Sequence, residues 1–433
     1  MVRVSTEQLF QVFSLHRGIT TDTRNIKKDD IFFALKGPNY NANAFAEKAI
    51  ENGAAFAVVD DPTLPFHQKF LLVEDVLTSL QDLAGYYRNS LNIPVIGITG
   101  SNGKTTTKEL VHAVLSTTFN TSTTIGNLNN HIGIPITLLR IPAHAEIAVV
   151  EMGANHLKEI EGYCRYANPT HGMVTNCGKA HLEGFGSVEG IRAGKGELFD
   201  HLSKSGGLAF ACYDYEYFHE MVKARKISSL IWYGQNGAAE VVGKILHSGP
   251  YLEVQISKGF DVPINVKTNL VGDYNFNNVL AAVTIGRHFG VPPTKIQEAI
   301  ENYRPGNSRS QLVKKEGLTI ILDAYNANPS SMAAAIKNFA SMEAGKKVLM
   351  LGSMAELGAD SLAEHKQIVE LIARYQWEKV ILVGGWFEKV NSGYLVFPTA
   401  LDARDWWNSH KIEGASILLK GSRSAGMEKV LGF

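Results

Sequence analysis

The chain has 433 residues, 45% of them hydrophobic, and its 42 basic residues balance 42 acidic ones. That length suits about three domains of ordinary size, each with enough apolar material for its own core. With no long run of one sign and no apolar run near the roughly 18 residues of a membrane span, composition argues against nucleic acid as a partner and against membrane insertion.

The first eight residues, Met1 to Gln8, lack an apolar stretch of signal-peptide length, so the protein is expected to be cytoplasmic. Residues 1 to about 90 alternate β-rich runs (Ile31–Leu35, Phe56–Val59, Phe70–Val73) with helical patterns at Asn43–Asn52 and Val76–Asn89, which predicts a small α/β unit. Thr21-Asp22-Thr23-Arg24 within it is polar and hydrogen-bond rich, and taken alone reads as a solvated turn.

The next stretch is the one that carries chemistry. Pro94-Val95-Ile96-Gly97-Ile98-Thr99 is an apolar run that breaks into Gly100-Ser101-Asn102-Gly103-Lys104-Thr105-Thr106-Thr107 and then into the helical Lys108-Glu109-Leu110-Val111. Strand, glycine-rich loop and helix in that order form a phosphate cradle. Glycines let successive N–H groups converge on an anion, the helix presents its positive end, Lys104 supplies a mobile charge, and a threonine hydroxyl such as Thr105 can ligate Mg²⁺. The general Gly-x-x-x-x-Gly-Lys-Ser/Thr pattern would need glycine at position 98, where Ile98 stands, so the loop is a variant. We read it as an ATP site within a nucleotide domain of residues 91–305.

Further buried strands are predicted at Ile147–Val150 and Gly172–Thr175, each ending in polar residues. In an open α/β sheet ligands gather beyond the carboxyl ends of strands, which brings Glu151 and the loop Asn176–His181 towards the phosphate loop as candidates around a metal. For His181 alone, a satisfied structural role is the simpler reading. The three cysteines Cys164, Cys177 and Cys212 are widely spaced outside any metal-ligand pattern, which fits a reducing compartment and a structural role. Alternation at Tyr251–Ile256 and Val262–Val266 predicts an antiparallel ribbon on the domain edge. Gly272-Asp273-Tyr274-Asn275-Phe276-Asn277-Asn278 precedes an alanine-rich helix, and helix capping explains its asparagines most simply.

Arg304-Pro305-Gly306-Asn307-Ser308 reads as a linker, and residues 306–433 as a third α/β unit with strands at Leu318–Leu322, Val348–Leu351, Val380–Val383 and Ile417–Leu419. Helices between these strands predict a Rossmann-like, mostly parallel sheet. Polar clusters follow two of its strands, at Asp323–Pro329 and Gly352–Glu356.

Taken in order, these motifs resemble the Mur ligases, ATP-dependent amide-bond-forming enzymes of peptidoglycan synthesis, across nearly the full length. The variant loop itself is similar to theirs. The resemblance implies magnesium and nucleotide contacts at Glu151, His181, Asn275 and Asn278, and third-domain nucleotide contacts at Arg309 and Asp323. The stretches Gly126–Pro135, Asp323–Met332 and Leu351–Gly358 are most similar to the branch that joins D-alanyl-D-alanine to UDP-N-acetylmuramoyl-tripeptide. That branch implies a first domain (1–90) holding the UDP-sugar with Thr23 and Arg24, and substrate contacts at Asn129, Asn130, Asn326 and Asn328. It also implies a monomer serving cell-wall synthesis, cell shape and division. The Asn-Pro-Arg motif of the preceding ligase is absent, and Tyr274 stands where the family often has histidine. Lys195, between Gly194 and Gly196 before a helical run, is on composition a solvated surface residue. The resemblance instead implies a carbamylated lysine that helps hold a second Mg²⁺ beside His181. Another Mur ligase, a folylpolyglutamate synthase-like amide ligase and, from another class, a nucleotide-dependent switch are the alternative readings.

Overall fold

The computed structural model describes residues 2–16, 18–306, 308–390 and 392–433; Met1 and Asn307 of the expected linker lie outside the described residues. Among those described, the strands form, in chain order, sheets of four, nine and six members, with a two-stranded ribbon (Lys36–Gly37 and Tyr40–Asn41) within the first unit, which is the expected α/β architecture with three sheet-based units. The first sheet, Gly18–Thr20, Asp30–Phe33, Phe56–Val59 and Phe70–Leu72, is parallel throughout.

The central sheet runs from Ile264–Lys267 through Glu253–Lys258, Val241–His247, Ser229–Gly234, Leu208–Cys212, His171–Val174, Val95–Thr99 and Ile147–Glu151 to Thr121–Thr123. Its inner strands are parallel and covered by helices on both faces, which is why they read as unbroken apolar runs. The predicted ribbon is there, antiparallel, at the outer edge. In the third sheet, Gln311–Lys315 pairs antiparallel with Leu318–Asp323, and the remaining strands, Ser416–Lys420, Lys347–Gly352, Lys379–Val383 and Leu395–Phe397, follow in parallel. This is the expected Rossmann-like arrangement.

The helix Val76–Ser90 does more than close the first unit. Asp75 caps it by accepting from Thr78 N at 2.7 Å, and its apolar face buries Val76, Leu80, Leu83, Ala84 and Tyr87. The same helix packs on Gly133–Leu139 and Glu159–Ala167 of the central unit. Tyr87 Oη donates to Ile141 O at 2.6 Å, and the buried Arg88 donates to Ala167 O and Asn168 O. One hydrophobic cluster therefore runs from Leu9 and Phe13 of the first unit into the central sheet.

Candidate functional site

A cleft of about 960 Å³ opens where the carboxyl ends of Val95–Thr99, Ile147–Glu151 and His171–Val174 face those of Leu318–Asp323 and Ser416–Lys420. Its floor is the glycine-rich loop. Gly100 (φ +144°) and Gly103 (φ +79°) take backbone conformations that side chains disfavour, and neither has room for one. A Cβ on Gly100 would lie 1.9 Å from Thr175 Oγ1, and one on Gly103 would lie 2.5 Å from Asn278 Oδ1. Ser101 N donates to Asn176 O at 2.9 Å and Ser101 Oγ to Gly178 O at 2.6 Å, so the loop is fastened to the end of the next strand.

The helix Lys104–Leu115 starts on Gly103 with no side-chain cap, which leaves the orphan amides of its first turn for an anion in the cleft. Lys104 Nζ rests on the loop's own carbonyls, 2.6 Å from Gly100 O and 3.3 Å from Ser101 O, and burial pushes its pKa below the ordinary lysine value. Thr106 lines the cleft beside it. These features fit a nucleotide polyphosphate.

Beyond the loop, Thr105 Oγ1 donates to Glu151 Oε2 at 2.9 Å, and Asn129 Nδ2 donates to Glu151 Oε1 at 2.8 Å. The buried Glu151 thus terminates its strand with both oxygens held at the mouth of the phosphate loop. One hydroxyl and one carboxylate beside a phosphate pocket form a hard-oxygen set that suits Mg²⁺, an ion that completes its shell with phosphate oxygens and water. Among the described residues no cluster of three or more His, Cys, Asp or Glu side chains forms a metal cage by itself. Asn130 lines the same wall, and its Oδ1 accepts from Gly133 N at 2.8 Å.

The asparagines before the helix Phe276–His288 do not cap it: Asn275 makes no side-chain cap bond. Instead Asn275 Nδ2 donates to Val271 O at 2.9 Å, Asn278 Nδ2 donates to Asn275 Oδ1 at 2.9 Å, and Thr107 Oγ1 donates to Asn278 Oδ1 at 3.1 Å. The capping expectation is corrected. The pair is nearly buried at the wall of the cleft beside the phosphate loop, which it braces, and each amide keeps a second N–H beyond these bonds.

From the third unit, Arg309 lies 3.7 Å above the Tyr325 ring, with a buried Nε that has no hydrogen-bond partner among the described residues. Asp323 accepts from Lys420 Nζ at 2.5 Å and from Ser310 N at 3.2 Å. Asn326 lines the cleft with its Oδ1 turned to Ala327 N. Asn328 caps the helix Pro329–Ser341 and reaches across to the phosphate loop, its Nδ2 donating to Asn102 Oδ1 at 2.7 Å. Tyr274 Oη and Ser310 Oγ are 2.8 Å apart, and burial pushes the phenol's pKa up.

The structure adds detail to three expectations. His181, in a left-handed conformation (φ +53°), has its Nδ1 against a carboxylate oxygen of Glu356 of the third unit, and this contact holds the Glu356 carboxyl below its usual range. Lys195 is not at the surface and does not precede a helix. It sits inside Val188–Ser205 with no exposed area, its Nζ donating to Ala154 O at 2.8 Å and lying 4.9 Å from the Phe185 ring centre. The surface reading fails because a helical repeat through Ile191, Lys195, Leu198 and Leu202 turns this residue into the core. Thr23 and Arg24 are not brought to the cleft: they form a short 3₁₀ turn in which exposed Arg24 pairs with Asp22 at 2.8 Å.

Tyr325 and Glu356 fall in the polar clusters singled out above without a role of their own, and Lys420, Tyr163 and Glu159 are not singled out there; all five line the cleft. The available signal was position: Glu356, Tyr325 and Lys420 follow or end strands of the third sheet, as Glu151 ends a central one.

Fold and site together define a nucleotide-binding α/β protein whose phosphate loop is closed over by a second, Rossmann-like sheet. Residues 98–286 match the Mur ligase middle domain and residues 308–423 the Mur ligase glutamate ligase domain. The UDP-N-acetylmuramoyl-tripeptide–D-alanyl-D-alanine ligase of Bacillus subtilis (strain 168) is 34% identical over 442 residues, covering 96% of this chain and 92% of that protein. Among solved structures, MurF from Acinetobacter baumannii superposes with a TM-score of 0.88 at 30% identity over 97% of each chain. MurF ligase from Thermotoga maritima in complex with ADP gives 0.86 at 26% identity over 96% of each. The chain belongs to the Mur ligase family.

Proposed function

We propose that the protein is the ATP-dependent ligase that joins D-alanyl-D-alanine to UDP-N-acetylmuramoyl-tripeptide in peptidoglycan precursor synthesis. The observation that carries this is the union, in one cleft, of a phosphate loop with its lysine and the asparagine-rich strand ends of the third sheet, in a chain that is alike over nearly its whole length to ligases of that name.

The chemistry follows from the residues. The peptide's terminal carboxylate and ATP are both anionic, so a nucleophilic attack of the carboxylate on the γ-phosphate requires fixed positive charge and N–H dipoles around the transferring group. Lys104 and the first-turn amides of Lys104–Leu115 supply them. Attack releases ADP and leaves an acyl phosphate. The dipeptide amine then adds to that carbonyl, and phosphate leaves as the amide forms. Mg²⁺, when bound, supplies further charge neutralisation on the phosphates, and Thr105 and Glu151 are the residues that would hold it. Arg309, Asp323, Asn275 and Asn278 serve the nucleotide side. Asn129, Asn130, Asn326 and Asn328 serve the two peptide substrates, and Thr23 and Arg24 of the first unit serve the UDP-sugar.

A second metal position at His181 and Lys195 is part of the same proposal. Burial lowers the Lys195 pKa well below that of a free lysine, which favours the neutral amine that CO₂ can carbamylate. The carbamate formed this way carries the negative oxygens that an amine lacks. We propose further that the protein is a cytoplasmic monomer whose three domains join near residues 90 and 305. No helix among the described residues is long and apolar enough to cross a membrane. Mass spectrometry of a reaction containing ATP, Mg²⁺, UDP-tripeptide and D-alanyl-D-alanine tests the proposal. The expected product is the UDP-pentapeptide, and its absence with all substrates present contradicts the reading.

A further inference from the structure

The segment from Asn176 to His181 has two faces. One touches the phosphate loop, through Asn176 O with Ser101 N, Asn176 Oδ1 with Asn102 N at 3.1 Å, and Gly178 O with Ser101 Oγ. The other touches the third unit, and its main contact there is Lys179, a residue to which neither the motifs nor the proposed chemistry gives a role. Lys179 N donates to Ser330 Oγ at 2.9 Å, and Lys179 Nζ pairs with Glu364 Oε1 at 2.7 Å. Gly178 beside it is tight against the same helix start, since a Cβ there would lie 2.9 Å from Ser330 Oγ and 3.3 Å from Asn102 Nδ2.

The two partners differ in exposure: the Lys179 side chain is 42% exposed, the Glu364 side chain 7%. A surface ion pair would contribute little, but here one partner is a buried carboxylate, and loss of the lysine leaves that charge in a poorly solvated place. Glu364 lies on Ser361–Ile372, the helix after Lys347–Gly352, so the pair ties the outer layer of the third unit to a loop that itself grips Ser101. The Lys179 ammonium is engaged by Glu364 on the third unit, and Lys179 is not among the residues that line the cleft.

We infer that Lys179 is a positioning residue: its ion pair with Glu364 couples closure of the third unit to the shape of the phosphate loop through Gly178 and Ser101. Seating of the third unit and ordering of Ser101 and Asn102 then form one equilibrium. The inference rests on the ligase reading only for its assay.

A double-mutant cycle tests it, with Lys179→Met, Glu364→Gln and the combined variant compared with wild type for KM for ATP, kcat and thermal midpoint. Lys179→Met is expected to raise KM for ATP by about tenfold and to lower the midpoint, because it leaves the Glu364 carboxylate without its partner. Glu364→Gln is expected to do the same, the combined variant to be no worse than either single one, and Lys179→Arg to stay near wild type. Unchanged KM in Lys179→Met, additive losses in the combined variant, or a loss that Lys179→Arg shares would overturn the inference. Wild-type turnover in the same assay reports separately on the ligase reading, and binding of a fluorescent ATP analogue gives the order of nucleotide affinities among the variants independently of turnover.

Discussion

At the scale of single residues the account rests first on Lys104. Its ammonium is the mobile charge nearest the phosphate pocket, and it is the first residue of its helix, where alanine is well tolerated. Lys104→Ala is therefore expected to lower kcat by about 10²–10³, the loss typical when one preorganised charge or donor is removed from a transition state, with little change in thermal midpoint. Near wild-type ligation by the folded variant would remove Lys104 from the site. Lys195 makes a different case. Burial depresses its folded pKa, so between that value and the ordinary 10.5 the unfolded chain holds a proton that the folded chain does not. Stability then rises with pH across that window. Lys195→Ala is expected to flatten the rise, to be nearly inactive, and to regain activity with acetate, which replaces the missing anion. Denaturant midpoints across pH, together with acetate-dependent turnover, check both halves. Retained activity in Lys195→Ala would count against the carbamate.

At the scale of elements, much was legible because parallel strands covered on both faces must be apolar: Val95–Thr99, Ile147–Glu151 and Lys379–Val383 stand within a residue or two of where their composition puts them. The phosphate loop was legible for the same reason, since only glycine fits against Thr175 and Asn278. What composition could not convey was the direction of a side chain. Asn275 and Asn278 look like caps but turn inward to brace the loop, Lys195 looks solvated but lies on a buried helix stripe, and the His181–Glu356 pair spans two units 175 positions apart (356 − 181). The far end of Phe276–His288 offers a test of its own. There His288 Nε2 meets His171 Nε2 at 3.2 Å, while His171 Nδ1 is 2.9 Å from Thr170 Oγ1. Burial, with His288 adding to it, pushes His171 down to about 4 from the ordinary 6.5. The folded chain keeps this imidazole neutral while the unfolded chain protonates it, so stability falls as pH drops from 6.5 towards 4. In His171→Phe that part of the fall is expected to disappear; an unaltered acid slope would show that the pair does not titrate this way.

At the scale of the whole molecule, the central and third sheets meet through Asn102–Asn328, Lys179–Glu364, His181–Glu356 and Tyr274–Ser310, so the cleft is walled by both. An acyl phosphate is lost to water unless such a wall excludes solvent, and substrates held by separate units favour the arrangement that brings them together. Saturation with an ATP analogue and UDP-tripeptide is expected to lower the radius of gyration in solution scattering, and an unchanged radius would count against closure. The central claim is that phosphoryl transfer serves amide formation and nothing else. A folylpolyglutamate synthase-like ligase would release phosphate with folate and glutamate, and a nucleotide-dependent switch would release it with no acceptor at all. The most direct measurement is inorganic phosphate released per UDP-pentapeptide formed, with each substrate left out in turn. The account predicts one phosphate per product, and only when ATP, UDP-N-acetylmuramoyl-tripeptide and D-alanyl-D-alanine are all present; sustained phosphate release without the dipeptide or without the UDP-tripeptide would contradict it.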